Sequence, residues 1–252
     1  MLVSGKADIN ARNLWGRTPL NDAVDGSEKC AVEFLIKSGA EVNVKNNKGV
    51  GILMGAINHG GADIAGLLIK VGADVNSKDE LDRTPLMKAI ENNMPSLVGS
   101  LIDAGAEIKG KDGFDGSVLF YSMRNIDIFK LLVEKGADIE EKNTRGETPL
   151  MVAAENNIAP IVEYLLVKGA DIKAKGMYEM TILHYLVEKE WDDKKICMML
   201  VSELLAKGLN VNDRDKVGET PLFLALESRM PEVAALLIDK GAEIKIKSEF
   251  GK

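Results

Sequence analysis

Apolar residues along this chain fall into short segments with helical spacing, and two such segments recur together about every 33 residues. In the clearest copy, residues 143–171, Leu150, Ala153 and Ala154 mark one apolar face, and a second segment follows over residues 161–166. Spacings of three and four residues place apolar side chains on one side of an α-helix. The pattern therefore predicts two amphipathic helices in each repeat.

The two helices of this copy also carry start and stop signals. Thr148 can accept backbone N–H groups at a helix start, and Pro149 fits the first turn because no N–H is needed there. The asparagines at 156–157 end the first helix, and Pro160 opens the second. Gly169 is expected to end that helix in the left-handed conformation. Two antiparallel helices and a reversing loop thus form one unit.

This unit recurs along the whole chain. Its closing glycine returns at intervals of 33, 33, 31, 33, 39 and 33 residues. These glycines are Gly39, Gly72, Gly105, Gly136, Gly169, Gly208 and Gly241. A period of this length indicates a solenoid in which each repeat packs on its neighbours. We expect one array over residues 1–252, with repeats starting near 13, 46, 79, 112, 143, 176 and 215 and partial repeats at 1–12 and 248–252.

The ends of the chain fall inside repeats. In this register Met1 lies partway along a second helix, and residues 248–252 begin a loop with no helix after it. Terminal repeats normally carry a polar outer face that shields the core. We therefore expect this chain to be a segment of a longer array, and divergent half-repeat caps are the alternative.

Two of the intervals depart from the common length. Two residues are missing between Asn125 and Ile126, and six extra residues fall within 188–198. Both changes are predicted at the turn between paired helices, where insertions form loops that often have functions. Trp191 lies in the insertion among charged residues. It either anchors a partner or folds back over an extended helix end.

A short phrase, Gly-x-Thr-Pro-Leu, identifies the kind of repeat. It stands at Gly16–Leu20, Gly146–Leu150 and Gly218–Leu222, and Thr84–Leu86 is a further copy. The pattern resembles the ankyrin repeat over essentially the whole chain, and its Glu-Asn-Asn helix ends resemble bacterial copies. The resemblance implies an all-α solenoid of antiparallel helix pairs joined by projecting β-hairpin-like loops, and a non-enzymatic scaffold for protein–protein interaction. The family usually has a histidine after the leucine that bridges neighbouring loops, and only His184 occupies that place here.

The resemblance also points to the residues that face a partner. In the family, the position just before the loop glycine lies near the tip of each hairpin. These fingertip residues are Trp15, Lys48, Leu81, Phe114, Arg145, Tyr178, Val217 and Phe250, and neighbouring positions add Leu14, Met177 and Met180. Exposed apolar side chains in a row indicate an interaction surface in which aromatic residues act as hot spots. The alternative is that each packs against the next hairpin.

A second column of aligned positions lies near the end of each first helix, on the concave side. It reads Asp25, Asn58, Glu91, Arg124, Glu155, Glu188 and Glu227, and five of the seven are acidic. We expect a partner segment that offers apolar groups together with Lys or Arg, with charge acting on encounter rate and selectivity. A solvated polar face would look similar.

The composition excludes several other classes of partner. The 252-residue chain carries a net charge of −7, and its Lys and Arg are scattered among the repeats. Nucleic acid and anionic membrane surfaces are disfavoured, because both require clustered cations. No apolar stretch reaches the roughly 18 residues of a membrane span, so no membrane insertion is expected. We expect a monomer that binds another protein.

Catalytic and metal chemistry has little support in the sequence. Two histidines, His59 and His184, and two cysteines, Cys30 and Cys197, occur without an orienting motif. The cysteines are expected to be small, partly buried helix residues. We expect no catalytic residue, metal site or cofactor. An interaction or targeting segment of a larger enzyme or secreted effector is the alternative function.

The cellular compartment stays open at this point. Unpaired cysteines favour a reducing compartment such as the cytoplasm, since disulfides form mainly in oxidising ones. No secretory signal is visible at Met1, but an array cut at that end would lack one. Periplasmic and secreted locations therefore remain alternatives.

Overall fold

A computed structural model of the chain describes residues 8–59 and 61–244. The chain forms two compact units, Met1–Ala137 and Asp138–Lys252. The expected partial helix at Met1, the loop start at 248–252 and the fingertip residue Phe250 lie outside the described residues. A single array over 1–252 stays a prediction.

The described residues contain fourteen α-helices, arranged as successive pairs, and no β-strand. The first unit contains α1 (Pro19–Asp25), α2 (Lys29–Lys37), α3 (Ile52–Asn58), α4 (Ala62–Lys70), α5 (Pro85–Glu91), α6 (Pro95–Asp103), α7 (Val118–Tyr121) and α8 (Ile126–Glu134). The second contains α9 (Pro149–Glu155), α10 (Ala159–Val167), α11 (Ile182–Val187), α12 (Lys194–Ala206), α13 (Pro221–Glu227) and α14 (Pro231–Asp239). The helical fold class predicted from the repeat is confirmed.

Five of the first helices, α1, α5, α9, α11 and α13, begin directly after a threonine, although one threonine does not cap as expected. The hydroxyls of Thr18, Thr84 and Thr220 accept the backbone N–H three residues on, at 3.3–3.4 Å. The following proline needs no such partner. Thr148 stands at the same position, but its hydroxyl is buried without a hydrogen bond among the described residues. The predicted cap at Thr148 is therefore wrong.

Within each unit, like helices pack on like helices. In the first unit α1, α3, α5 and α7 stack in order, and so do α4, α6 and α8. In the second unit α11 packs on both α9 and α13, and α12 packs on α14. The leucine of the repeated phrase is buried at Leu20, Leu86, Leu150 and Leu222, and so is the leucine at the same position of the altered copies Gly51–Leu53, Ser117–Leu119 and Thr181–Leu183. Within each unit, the packing of like helices covers these leucines, and their removal from water stabilises the stack.

The two irregular intervals change the paired helices in different ways. In the short repeat, α7 ends at Tyr121 and residues 122–124 form a 3₁₀ turn, after which the side chain of Asn125 caps α8. In the long repeat, loop 188–193 follows α11, and α12 has 13 residues where most second helices have nine. The insertion thus lengthens a helix as well as the predicted turn.

Turn asparagines join successive repeats. The amide oxygen of Asn43 accepts the N–H of Asp74 at 2.8 Å, and its amide nitrogen donates to the carbonyl of Gly72 at 3.1 Å. Asn76 and Asn212 make the same pair of bonds one repeat further on. Each asparagine satisfies a carbonyl and an N–H of the turn that follows the second helix of the next repeat.

Candidate partner-binding surfaces

Seven loops lead into the first helices and form the hairpin tips that the sequence predicts. They are residues 11–17, 44–50, 77–83, 110–116, 141–147, 174–180 and 213–219, numbered loop 1 to loop 7. In loop 1 the Asn13 N–H donates to the Arg17 carbonyl, and the Asn13 side chain accepts the N–H groups of Trp15 and Arg17 at 3.0 Å. An Asn or Asp plays this part in every loop except loop 6. The tips are therefore built before any partner binds.

Loop 6 holds its tip by a different route. Gly176 replaces the Asn or Asp, and residues 177–179 form a 3₁₀ turn. Tyr178 and Glu179 both adopt left-handed backbone angles, with φ of 54° and 59°. A bulky residue in this region is strained unless its surroundings hold it. The Tyr178 carbonyl accepts the N–H of Lys216 at 2.7 Å, which helps to hold this tip.

Most predicted fingertip side chains are exposed. Trp15 and Phe114 are each 69% exposed and Tyr178 is 56% exposed, while Lys48, Leu81 and Arg145 are also exposed and Val217 is half-buried. Of the neighbouring positions, Leu14 is 92% exposed, Met177 is half-buried and Met180 is buried. The expectation that Met180 adds to the interaction surface is therefore wrong, because its side chain belongs to the core. The large aromatic side chains do not bury themselves against the next hairpin.

Some neighbouring loops are tied together by their backbones. In the first unit the Asn47 N–H donates to the Trp15 carbonyl at 3.0 Å, and the Gly113 N–H donates to the Leu81 carbonyl at 2.9 Å. In the second unit the bond from Lys216 to Tyr178 ties loop 6 to loop 7. Within the described residues no backbone bond joins loop 2 to loop 3. The tips of the first unit are therefore two rigid pairs.

The acidic column is largely neutralised within the chain. Asp25 forms an ion pair with Arg17, with 2.5 Å between nitrogen and oxygen. Glu91 forms ion pairs with Lys88 at 2.7 Å and with Arg83 at 3.7 Å. In the second unit Glu155 pairs with Arg145 at 2.5 Å and with Lys189 at 3.3 Å. These three carboxylates offer a basic partner far less charge than the sequence suggests.

The internal cations that pair with this column carry a signal that sequence reasoning missed. Arg17 precedes Asp25 by eight residues, and Arg83 precedes Glu91 by the same interval. An alignment of the repeats that compares the arginine of each loop with the acid at the end of the following helix would have predicted these two ion pairs. Arg145 departs from that interval, because it lies ten residues before Glu155.

The remaining two acids of the column lie in the second unit. Glu188 and Glu227 are exposed and have no ion pair among the described residues. Partial burial, followed by repulsion from Glu155, raises the pKa of Glu188. Burial also raises the pKa of Glu155, but hydrogen bonds and charge from Arg145 and Lys189 outweigh it and hold the value below its usual range. Only Glu188 and Glu227 could meet a basic partner segment here.

Two tyrosine–carboxylate contacts stiffen the loops. The hydroxyl of Tyr121 donates to Asp112 within the first unit, and burial and this bond raise the pKa of Tyr121 to about 12. In the second unit Tyr185 donates to the buried Glu147 at 3.0 Å, and burial and this bond raise the pKa of Tyr185. Buried carboxylates need such partners. Both tyrosines hold a loop in place.

Trp191 does not lie on an interaction surface. Its side chain is 3% exposed, and its indole N–H donates to the carbonyl of Leu186 at 2.8 Å. The indole closes the end of α11, so the fold-back alternative is correct and the partner anchor is wrong. An indole buries a large apolar area while its N–H still needs a partner, which this carbonyl supplies.

The contacts of His184 and Cys197 are those of residues that hold the fold together. His184 accepts the backbone N–H of Thr181 at 3.1 Å and bridges to the Glu219 carbonyl at 3.2 Å. Cys197 is buried, which raises the pKa of its thiol to about 12, whereas Cys30 is exposed and the expectation of partial burial is wrong for it. Within residues 8–59 and 61–244 there is no group of three or more His, Cys, Asp or Glu that could hold a metal ion. Nor does any helix of that part have the length and apolar character needed to cross a bilayer.

Comparison with known proteins finds repeats of one kind. The family model described as ankyrin repeats, in three copies, matches residues 1–79, 24–112, 86–176 and 173–248. The chain is 26% identical over 124 residues to ankyrin repeat protein OPG189 of variola virus, covering 49% of this chain and 21% of that protein. It is 24% identical over 131 residues to phosphocholine transferase AnkX of Legionella pneumophila, covering 52% of this chain and 14% of that protein.

Solved structures give the same result for the fold. The ankyrin repeat domain of human ASB11 superimposes with a TM-score of 0.73 at 24% identity, covering 90% of this chain and 99% of that one. The ankyrin repeat domain of Bcl-3 superimposes with a TM-score of 0.71 at 26% identity, covering 88% and 99%. The chain therefore matches whole repeat domains, while it spans only a small part of the curated relatives.

Proposed function

This chain belongs to the ankyrin-repeat family, whose repeats are protein–protein interaction domains, and on that premise we propose that it binds a partner protein through its fingertip loops. The observation that carries the proposal is the exposure of Leu14, Trp15 and Phe114 on loops whose backbones are already fixed. Exposed aromatic side chains on a rigid frame lose little conformational freedom when they bind. We infer a non-enzymatic role for this chain.

The second unit adds a smaller surface of the same kind. Tyr178 is exposed at the tip of loop 6, Glu188 directly follows α11, and Glu227 is the last residue of α13. We infer that this unit supplies the part of the interface that meets a basic group. Lys48, Leu81, Arg145 and Val217 complete the fingertip set as flanking contacts, since hot spots are usually ringed by weaker ones.

A pair of matched triple variants tests the fingertip proposal. Trp15→Ala, Phe114→Ala and Tyr178→Ala together remove the tip aromatics. Phe34→Ala, Val167→Ala and Met199→Ala together remove three exposed apolar side chains of second helices and serve as the control. Immobilised chains are incubated with lysate of the cells that encode the protein, and captured proteins are quantified by mass spectrometry.

The two variants are expected to differ in what they retain. The control should capture the wild-type set, and the tip variant should lose it by about tenfold or more, as expected when two or more hot spots are truncated. Unchanged far-UV circular dichroism would show that both fold. Equal capture by the two variants would remove the fingertip proposal.

A second candidate follows from the length of the relatives. The alignments cover 21% of OPG189 and 14% of AnkX, so repeats like these occur within much longer proteins. We infer that this chain acts as the interaction segment of a larger protein whose activity resides elsewhere. Detection of the native protein with an antibody to the repeats tests this: a band near the 27.3 kDa of this chain would contradict it.

A further inference from the structure

The first two loops carry positive charge that no described residue neutralises through an ion pair. Loops 1 and 2 contain Arg12, Arg17, Lys45 and Lys48 and no acidic residue. The charge of Arg17 is neutralised by its ion pairs with two carboxylates of α1. Arg12, Lys45 and Lys48 form no ion pair among the described residues, and all three are exposed. A local excess of three cations thus exists in a chain of net charge −7.

One of these cations, Lys48, lies beside the exposed aromatic ring of Trp15. Trp15, Arg17, Asn46, Asn47 and Lys48 line one open cleft between loop 1 and loop 2. The guanidinium of one loop also donates across to the next, since Arg12 Nη2 lies 3.2 Å from the Lys45 carbonyl. Trp15 and Lys48 therefore share this cleft, whereas Lys45 lines a separate cavity with Asn43 and Ser77.

The cleft is rigid because the two loops are bonded twice. Besides the backbone bond to the Trp15 carbonyl, the side-chain amide of Asn47 donates to the Leu14 carbonyl at 2.9 Å. Gly16 permits this approach: a Cβ there would lie 2.2 Å from Asn47 Oδ1. A ligand would meet a preformed site, which lowers the entropy that binding must offset.

The other pair of loops in this unit has the opposite sign. Loops 3 and 4 contain five acidic residues and three basic ones. Glu80, Asp82 and Asp115 are exposed next to Leu81 or Phe114 and have no ion pair among the described residues. An acidic ligand is therefore attracted to loops 1 and 2 and repelled by loops 3 and 4.

We propose that the cleft between loops 1 and 2 binds an acidic segment of a partner protein, which places an apolar side chain against Trp15 and a carboxylate against Lys48, while Arg12 and Lys45 on the same two loops add to the attraction. This deepens the proposed function and rests on it, and it reverses, for this cleft, the basic partner expected from the acidic column. Neighbouring helices pack about 8–10 Å apart, so an extended segment of roughly three or four residues spans the two loops.

Selection from random peptides tests the chemistry without knowledge of the partner. A phage-displayed library of random peptides is panned against the intact chain, and the enriched peptides are sequenced. We expect them to combine Asp or Glu with an aromatic or aliphatic residue within a short window. Enrichment of neutral or basic peptides whose binding still requires Trp15 would overturn the acidic proposal and leave the fingertip function standing. Failure to obtain any peptide that depends on Trp15 or Phe114 would count against both.

Charge reversal locates the site on the molecule. Lys45→Glu with Lys48→Glu should weaken binding of the enriched peptide by tenfold or more. Lys37→Glu with Lys70→Glu changes the net charge equally on second helices, where both lysines are exposed, and should have little effect. Wild-type affinity should also fall as salt screens the pairing. Equal losses in the two double variants would overturn the assignment.

An optical signal reports the contact directly. The chain contains two tryptophans, and Trp191 is buried. In a Trp191→Phe background the remaining indole emission comes from Trp15 alone. We expect the acidic peptide to shift that emission to shorter wavelength, because burial of the ring removes water around it. Binding without such a shift would show that the peptide sits elsewhere.

Discussion

Single residues at the loop tips decide whether neighbouring loops can meet. Gly16 and Gly49 share a left-handed φ of 73°, but only Gly16 lies against another loop. At Gly16 an added Cβ would lie 2.2 Å from the side chain and 2.9 Å from the backbone nitrogen of Asn47, whereas at Gly49 it would meet nothing within 4 Å. The two glycines therefore separate the effect of backbone strain from that of collision.

We expect Gly16→Ala to lower the free energy of unfolding more than Gly49→Ala does. Both pay about 1–2 kcal/mol for the left-handed conformation, and only Gly16→Ala also forces loops 1 and 2 apart. Chemical denaturation followed by circular dichroism measures the difference. Equal destabilisation would mean that the close approach of Asn47 carries no energetic weight.

His184 makes the second unit sensitive to pH. Because Nδ1 accepts the Thr181 N–H, Nε2 carries the proton and donates to the Glu219 carbonyl. Protonation of Nδ1 would break the first bond, and burial accordingly lowers the pKa of His184. The unfolded state then binds more protons as pH falls, so this contribution to stability is present above about pH 6.5 and is lost below it.

The His184→Gln variant should therefore flatten the pH dependence. Its free energy of unfolding should change less than that of the wild type between pH 7 and pH 5, because the titrating ring is gone. Denaturant titrations at several pH values provide the measurement. If the wild type and the variant lose stability in parallel over this range, His184 does not control it.

At the scale of elements, the insertion after α11 serves packing. Loop 188–193 places the indole of Trp191 over the last turn of α11, and Cys197 Sγ lies 3.4 Å from the same Leu186 carbonyl. Helix ends leave carbonyl groups without partners inside the helix. The extra residues supply partners for that end and cover it from water.

Truncation of this indole should destabilise the chain without affecting partner binding. We expect Trp191→Ala to cost about 3–5 kcal/mol, as large-to-small core substitutions do. Trp191→Phe should cost less, since it removes the hydrogen bond but keeps most of the apolar area. Thermal unfolding and capture of an enriched acidic peptide test both statements. Loss of capture by folded Trp191→Phe would restore the anchor interpretation.

The sequence predicted the helices well because their signals are local. Proline, the apolar face and the closing glycine lie within one repeat, and each acts through neighbours a few residues away. The unpartnered hydroxyl of Thr148 and the buried indole of Trp191 were not predictable in this way. Both depend on how side chains pack in three dimensions, which a periodic pattern does not encode.

At the scale of the whole molecule, the columns of aligned residues predicted exposure better than charge. The tips Trp15 and Phe114 are exposed as expected, because position within a hairpin sets exposure. Asp25 and Glu155 are paired with arginines, because charge at a site depends on which long side chains reach it. The net charge of the chain therefore says little about any one cleft.

Repeats that contact only their neighbours should respond locally to damage. Trp191→Ala lies in the second unit, and the stability of repeat proteins is approximately a sum of repeat and nearest-neighbour terms. We expect its amide hydrogen exchange to accelerate within 138–244 while exchange within 8–59 and 61–137 stays at the wild-type rate. Acceleration throughout the chain would instead indicate one cooperative unit.

The tying of loop 1 to loop 2 and of loop 3 to loop 4 has a consequence for how such a chain can change. Exchanging one hairpin alone would disturb its neighbour, because Asn47 can approach loop 1 this closely only where residue 16 is a glycine, and the Leu81 carbonyl accepts the N–H of Gly113. In recombination or in grafting, the segment of this unit that must be exchanged as a whole is therefore a pair of bonded hairpins. Loops 2 and 3 share no such bond among the described residues. A segment exchanged with its boundary between these two loops should therefore keep its structure.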